Sequence, residues 1–444
     1  MHRLIHSTLD SCYLSTGGDR MIKISADEIK YVPNGTNDVY MVPDPNIQLP
    51  ELEPMLLGDT TIGMKVNGSK LSQYLNALAW DDRAMSGPRM QQLFMARVLV
   101  MFFFAHVGMR PIIAAYGEQD SGKTSLLENI GRLFYGVDWR AVSLPNKIRD
   151  MVAKLTNNEL AFFNNTDNVD LEEQGYLNLF CNAAFGEADE SAAQLYKDNV
   201  ELSWRISTNI GLASRDMNFN RSDVMRRTLV FALKKPPKAR QLTKPERRQM
   251  FIEDHSELLH ELLSRVQHVL VALKATEGRR YNRVSDMDEM EMFMLRVADY
   301  EGWLDECREI WMAYQADYKE DIAVGDPLAQ LLDLWIGSAG PGREVTTTTL
   351  WQESERIFKR LNIPMTYKAP AVLGRHLGKG GKATVLAQYG YRFIGNSHSL
   401  HVFNPKPEMA ARCKRAFRDA MVAATGEIGY PADKVGVAED VEEV

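Results

Sequence analysis

The chain has 444 residues, of which 45% are hydrophobic and 25% are charged, and its formal net charge is −7. This length exceeds the ~250–300 residues at which one hydrophobic core stops growing, so it predicts two or three domains. The composition is ordinary for a globular protein and argues against a largely disordered chain. Four widely spaced cysteines without a Cys-x-x-Cys pair indicate neither a zinc site nor a disulfide framework. No secretory signal is recognisable, and the apolar run VLVMFFFA is too short for a membrane span. We therefore expect a soluble, cytoplasmic protein.

Five segments follow one another along the chain. Residues 1–85 contain short alternating runs such as MIKIS and DVYMV, which predict a small N-terminal module of strands and turns. Residues 86–240 begin with a long apolar helix and then alternate strands with helices, which is typical of an α/β nucleotide-binding core. Residues 241–325 have helical periodicity, and residues 326–405 have the helix–helix–hairpin order of a winged helix. Residues 406–444 predict a C-terminal helix and an acidic tail.

A phosphate-binding loop is predicted from GEQDSGKT, which matches G-x-x-x-x-G-K-[ST] and lies between a predicted strand and a predicted helix. Glycines let backbone N–H groups face phosphate oxygens, and the helix N-terminus adds positive potential. Lys123 is expected to contact the β- and γ-phosphates of ATP, and Thr124 to bind Mg²⁺. Asp120 is unusual because it brings negative charge to the loop. The predicted nucleotide-binding residues are Gly117, Glu118, Gln119, Asp120, Ser121, Gly122, Lys123, Thr124 and Ser125.

A metal carboxylate is expected where the apolar run of ELAFFNNTDNVD ends, because a P-loop ATPase holds Mg²⁺ there. Two asparagines take the first positions after the run, so two registers are possible. Asp167 is favoured as the metal ligand, with Asn168 beside it, because it supplies the only charge at the strand end. No glutamate follows to activate water, so Glu118 or Asp170 substitutes for it, or hydrolysis is slow. A surface turn rich in Asn and Asp is the simpler alternative.

Three further groups are candidates for nucleotide sensing and DNA contact. The strand WRIS precedes Thr208–Asn209, so Asn209 is predicted to sense the γ-phosphate by hydrogen bonding. Arg226 and Arg227 precede an apolar strand, where a cation can reach a neighbouring subunit's phosphates, although a surface ion pair is the alternative. The segment ADESAAQLYKDNVELSW predicts two arms around Lys197. In a ring pore this lysine would meet DNA phosphates, whereas a lone lysine at a turn is more often merely solvated.

Two segments near the C-terminal half are rich in cations. The predicted winged helix carries enough positive charge to approach a DNA backbone, and a protein-binding role is equally compatible with it. Its cations are Lys359, Arg360, Arg375, His376, Lys379, Lys382 and Arg392. The stretch from Lys234 to Arg248 is also basic, and a solvated linker is its preferred interpretation.

These features, in this order, resemble AAA+ helicases of the superfamily 3 type, in particular the helicase portion of primase–helicase proteins of phages and mobile elements. The matching elements are GEQDSGKT, the TDNVD turn, LYKDN before STNIG, RSDVMRRTL and GYRFIG, over residues 85–403. The resemblance implies a P-loop AAA+ core in a homo-oligomeric, hexameric ring that hydrolyses ATP with Mg²⁺ at subunit interfaces. Arg227 would be the finger acting in trans, with Arg226 as its rival, and Lys197 would pull single-stranded or forked DNA.

The resemblance further implies a helicase or translocase that replicates a phage or mobile element in a bacterial or phage-infected host cell. No primase signature is visible, so priming would depend on a separate primase or other replication protein. The missing glutamate favours an alternative, a regulatory or scaffolding AAA+ ATPase in phage defence or assembly that uses nucleotide as a switch. A monomeric P-loop kinase is a third hypothesis, opposed by the paired arginines and the helical C-terminal half.

Overall fold

The structure is a computed structural model. The residues that it describes form two compact units, Met1–Glu320 and Asp321–Val444. The described ranges are 2–50, 52, 62–66, 68–82, 85–166, 171, 175–186, 188–193, 201–206, 208–215, 222–237, 243–324, 327–363, 365, 367–377, 383–394 and 400–425. In these ranges, no helix has the length and apolarity needed to cross a membrane.

The N-terminal module is a four-stranded antiparallel meander in the order β1-β2-β3-β4. Its strands are β1 (Ile5–Ser7), β2 (Ser11–Ser15), β3 (Arg20–Ser25) and β4 (Ile29–Pro33). The predicted MIKIS strand is β3, in which Met21, Ile22 and Ile24 are buried, and Met21 packs in the module's own core. DVYMV does not form the predicted strand. Asp38 has a positive φ of 60°, and Met41 makes only an isolated bridge to His2.

The nucleotide-binding core is built on a five-stranded parallel sheet in the order β11-β5-β10-β7-β6. Its strands are β5 (Ile112–Tyr116), β6 (Val142–Ser143), β7 (Leu160–Asn164), β10 (Asn209–Ser214) and β11 (Thr228–Ala232). The central strands are buried almost throughout, as expected for a parallel sheet covered on both faces. The mixed α/β class predicted for this part of the chain is confirmed.

Helices connect and cover these strands, and a separate hairpin is inserted before β10. The helices are α1 (Lys70–Asn76), α2 (Gly87–Val100), α3 (Phe104–Val107), α4 (Lys123–Tyr135), α5 (Ile148–Asn157), α6 (Tyr176–Phe185) and α7 (Ser222–Met225). The apolar run predicted as one helix is divided between α2 and α3, and α2 is buried along most of its length. The hairpin strands are β8 (Ala188–Ala193) and β9 (Glu201–Ile206).

Three helices follow the sheet along the chain, namely α8 (Lys244–Ala275), α9 (Asp288–Glu301) and α10 (Leu304–Val324). A capping box starts α8, because the Thr243 side chain accepts from the backbone N–H of Glu246 and the Glu246 side chain accepts from that of Thr243. This start places the first turns of α8 next to α4.

The second unit combines five helices with a three-stranded antiparallel sheet in the order β12-β14-β13. Its elements are α11 (Pro327–Ala339), β12 (Glu344–Thr346), α12 (Thr347–Arg360), α13 (Pro370–Leu377), α14 (Ala383–Gln388), β13 (Tyr391–Phe393), β14 (Leu400–Phe403) and α15 (Pro407–Thr425). Gly337 lies against α15, where a Cβ would come 2.3 Å from the carbonyl oxygen of Cys413. The close approach of α11 and α15 therefore requires a residue without a side chain.

Candidate functional site

The phosphate loop joins β5 to α4 at the carboxyl edge of the parallel sheet, the edge at which open α/β sheets bind ligands. Gly117 has a φ of 149°, and a Cβ there would lie 1.9 Å from the carbonyl oxygen of Leu233. Gly122 has a φ of 94° and immediately precedes α4. The first position therefore needs glycine for space as well as for conformation, and the second for conformation.

Lys123 holds its ammonium group inside the curve of this loop. Its Nζ donates to the carbonyl oxygens of Gly117 and Glu118, both at 3.0 Å. The Ser121 hydroxyl is buried and has no hydrogen-bond partner in the described part of the chain. Thr124 is half-buried in the first turn of α4. A cation, an unpartnered hydroxyl and a helix N-terminus thus converge on one small volume, and this combination suits a phosphate group.

The neighbouring strand brings two residues to the loop that the sequence analysis did not single out. The parallel register pairs Ser214 with Tyr116, and the backbone N–H of Gly117 donates to the carbonyl oxygen of Arg215 at 3.3 Å. The Arg215 side chain is exposed. The signal that could have found them is the polar end of the apolar run NIGLAS, because polar residues after a buried parallel strand lie at the ligand-binding edge.

The candidate metal position lies at the end of β7, beyond β10. The Asn164 side-chain oxygen is buried without a hydrogen-bond partner among the described residues. Thr166 donates its hydroxyl to the Ala213 carbonyl oxygen at 3.4 Å, which fixes the following turn against β10. An orphaned amide oxygen at this edge fits Mg²⁺, which prefers oxygen ligands. The predicted ligand Asp167 and its neighbour Asn168 lie outside the described residues, as does Asp170.

Two cations from the segment interpreted as a solvated linker approach the phosphate loop. Lys235 Nζ lies 3.6 Å from the Asp120 carboxylate, and both side chains are exposed. This pair offsets the negative charge that made the loop unusual. Arg247, in the first turn of α8, points a guanidinium nitrogen at Ser125 Oγ at 3.5 Å. The linker interpretation is therefore incomplete, because two of its cations supply positive charge at the start of α4.

Asn209 does not lie where a γ-phosphate sensor must lie. It is the first residue of β10 rather than a residue at a strand's end, and it is fully buried at the amino edge of the sheet. Its side chain accepts from Arg97 at 3.1 Å and faces Glu159. The phosphate loop follows the opposite end of β5, four or more residues away, which corresponds to ~13 Å or more along a strand. The prediction of Asn209 as the sensor is wrong, and Ser214 or Arg215 occupies the corresponding edge.

The arginine pair lies at the same amino edge, just before β11. Arg227 is half-buried, donates to the Asp223 carbonyl oxygen at 2.7 Å, and places its guanidinium 4.9 Å from the centre of the Phe185 ring. Arg226 is exposed. Arg227 is therefore held by its own chain, whereas Arg226 faces solvent, and the choice of Arg227 over Arg226 as the finger stays a prediction.

The predicted DNA hairpin has two paired arms. Antiparallel pairing runs from Ala188 with Ile206 to Ala193 with Glu201. Lys197, in the connection between the arms, lies outside the described residues. In the second unit, Lys359, Arg360 and Arg392 are exposed. The side chains of Arg375, His376, Lys379 and Lys382 also lie outside the described part.

No protein-family model matches the chain, and no curated protein sequence matches it. Among solved structures, the apo C-terminal region of NrS-1 aligns at 12% identity over 87% of this chain and 94% of that one, with a TM-score of 0.34. A JCV helicase aligns at 11% identity over 56% and 67%, with a TM-score of 0.27. The Drosophila ORC bound to DNA aligns at 12% identity over 84% and 96%, with a TM-score of 0.19. Similarities this low assign no function by themselves.

Proposed function

We propose that the chain is a P-loop ATPase that assembles into a ring, hexameric by the resemblance, and moves along or unwinds DNA. The observation that carries this proposal is the separation of two groups on one sheet. The phosphate loop lies at the carboxyl edge, and the exposed Arg226 lies at the amino edge. The guanidinium of Arg226 therefore cannot reach phosphates bound at the loop of its own chain. In a ring, it could reach phosphates bound by a neighbouring copy.

The chemistry follows from the residues at the loop. The backbone N–H groups and Lys123 would hold the β- and γ-phosphates of ATP, while Thr124 and Asp167 would bind Mg²⁺. Bound Mg²⁺ would neutralise developing charge on the phosphates. Arg247 adds a cation from the same chain, and Arg226 from a neighbour would stabilise the charge of the transition state. Nucleotide binding would then require one chain, and fast hydrolysis would require two neighbouring chains.

DNA contact is assigned to the hairpin and the segment beside it. Helix α5 packs against β9, and Lys147 and Arg149 are exposed around the start of α5. Together with Lys197 they would bring three cations to one side of the core, a pattern that suits a phosphate backbone. The second unit is proposed to be a winged helix that binds DNA or a replication partner such as a primase. The setting would be phage or mobile-element replication in the host cytoplasm.

The first test is ATP hydrolysis by the purified chain with and without single-stranded DNA, combined with its mass in solution in the presence of nucleotide. We expect turnover that rises with DNA and a ring-sized assembly. Strand displacement on a forked duplex then separates unwinding from translocation. A monomer whose ATP turnover ignores DNA would contradict the motor.

A nucleotide-switched regulatory or scaffolding ATPase is the second candidate, and one observation favours it. Among the described residues, the carboxyl end of β7 carries Asn164 rather than an acidic side chain, so a water-activating carboxylate is not supplied at that position. Glu118 is exposed on the loop, and Asp120 is the other carboxylate there. A switch would bind ATP tightly, hydrolyse it slowly and respond to a protein partner. Strong stimulation of hydrolysis by DNA would count against it.

A further inference from the structure

A buried polar network lies at the amino edge of the parallel sheet. Arg97 in α2 is fully buried, and it donates from Nε to the Pro111 carbonyl oxygen at 2.5 Å and from Nη2 to Asn209 Oδ1 at 3.1 Å. Asn209 donates its backbone N–H to the Glu159 carbonyl oxygen at 2.8 Å. Arg110 Nη2 lies 3.3 Å from the Glu159 carboxylate. Arg110 therefore pairs with the buried Glu159 carboxylate, and Arg97 joins the same network through Asn209.

This network is costly for the folded state. Burial, together with the nearby Arg110, lowers the pKa of Arg97 to about 9. Burial also raises the pKa of Glu159, although Arg110 opposes that shift. Arg97 Nη1 has no hydrogen-bond partner among the described residues. Replacing a whole buried ionic network by apolar residues of similar volume is often neutral or stabilising. Stability alone therefore gives no reason to retain this network.

The same network supports the turn that carries the arginine pair. The backbone N–H of Ile112, which follows the carbonyl held by Arg97, donates to the Arg227 carbonyl oxygen at 2.7 Å. Arg110 donates its backbone N–H to Ala184 at 2.6 Å, next to the Phe185 ring on which Arg227 rests. The start of β5 thus holds the backbone of the turn, and the end of α6 holds the side chain of Arg227. Arg97 fixes the start of β5, and Arg110 fixes the end of α6.

We propose that Arg97 is a positioning residue for Arg226. Arg97 holds the start of β5 and the first residue of β10 together. It thereby fixes the position of the turn that carries Arg226 and Arg227, so that Arg226 is directed at a neighbouring copy. This inference rests on the proposed function, in which Arg226 acts on the neighbour's phosphates. The position of the Arg226 guanidinium must be accurate, because a displacement of ~1 Å can reduce turnover on the order of 100-fold.

The test replaces Arg97 with methionine, which keeps much of its volume and removes its charge and hydrogen bonds. Arg97→Met is expected to lower the unfolding temperature, because the Pro111 and Asn209 oxygens lose a buried donor. In the folded protein, ATP affinity should stay close to that of the parent while turnover falls on the order of 100-fold. Lys123→Ala is the complementary variant, since it lacks a working nucleotide site but keeps an intact arginine turn. In mixed assemblies, Arg97→Met sites would be served by the arginines of Lys123→Ala neighbours. Turnover should then exceed the sum of the two separate rates.

A reference pair and a matched control make the result decisive. The reference pair is Arg226→Ala with Lys123→Ala, which must recover turnover on mixing if the arginine acts in trans. The matched control is Arg265→Met, which removes another fully buried arginine, one that pairs with Glu261 in α8. Mixing Arg265→Met with Lys123→Ala should not raise turnover above the sum of their separate rates. If Arg97→Met does not fold, Asn209→Ala removes the acceptor of Nη2 and enters the same mixing experiment.

The outcomes separate the inference from the proposed function. Recovery by the reference pair but not by the Arg97→Met pair overturns the positioning role and leaves the trans role standing. Parental turnover of Arg97→Met alone also overturns it. Failure of both pairs to recover contradicts the trans role of Arg226, and the positioning role falls with it.

Discussion

Replacing Arg226 and Arg227 one at a time separates the arginine proposed to reach a neighbour from the one that contacts its own chain. Arg226→Ala removes an exposed side chain, so the free energy of unfolding should change by less than about 0.5 kcal/mol. Arg227→Ala removes a charged hydrogen bond to the Asp223 carbonyl oxygen and a cation–π contact with Phe185. These are worth ~1.5–3 and ~0.5–1 kcal/mol, so a loss of ~2 kcal/mol is expected for this half-buried group.

Turnover should respond in the opposite order. An arginine that stabilises transition-state charge in trans is worth about a thousandfold or more in kcat, so Arg226→Ala should nearly abolish hydrolysis while ATP affinity persists. Arg227→Ala should retain measurable hydrolysis below its lowered unfolding temperature. The assays are urea unfolding, binding of a fluorescent ATP analogue, and steady-state phosphate release. Parental turnover by Arg226→Ala, together with loss of turnover in a stably folded Arg227→Ala, would refute this reasoning.

Three further substitutions test the loop itself. Gly117→Ala should cost ~1–3 kcal/mol or more of stability and abolish ATP binding, because the added Cβ has no space. The control is Gly18→Ala, whose Cβ would have nothing within 4 Å. It should change neither stability nor ATP binding in the same unfolding and binding assays. Arg247→Ala should weaken ATP affinity about tenfold by loss of a charged contact, measured by titration against Arg248→Ala as the neighbouring control. Lys123→Ala should weaken ATP affinity by at least about tenfold in the same titration, and unchanged affinity would contradict its phosphate role.

The parts of the site that sequence predicted well are those that depend on local spacing. The phosphate loop needs glycines at fixed positions between a strand and a helix, and both constraints are visible in GEQDSGKT. The carboxyl edge of the sheet is different, because it depends on which strand pairs with which. Thr208–Asn209 follows one strand and begins another, and the sequence does not show which strand belongs to the sheet. Asn209 was therefore placed at the wrong edge.

The different surroundings of Arg226 and Arg227 could not be predicted from the sequence for a related reason. What distinguishes them is the Phe185 ring, which is distant in sequence and meets Arg227 only after α6 has packed beside α7. Arg97 gave a signal that was available, since a charged residue in the middle of the apolar run QQLFMARVLV is costly unless it is paired. The run was interpreted through its hydrophobic residues alone.

The two edges of the sheet also predict how activity depends on protein concentration. The groups proposed to contact the triphosphate, Lys123 and Arg247, lie beside the loop of one chain, so ATP affinity should persist when the assembly is diluted into monomers. Arg226 lies about the length of a strand away from that site, so hydrolysis per chain should fall as neighbours are lost. Measuring affinity and turnover across the same dilution series tests this division of labour. Turnover that stays constant in a dilute monomer would mean that a cation of the same chain, such as Arg215, completes the site.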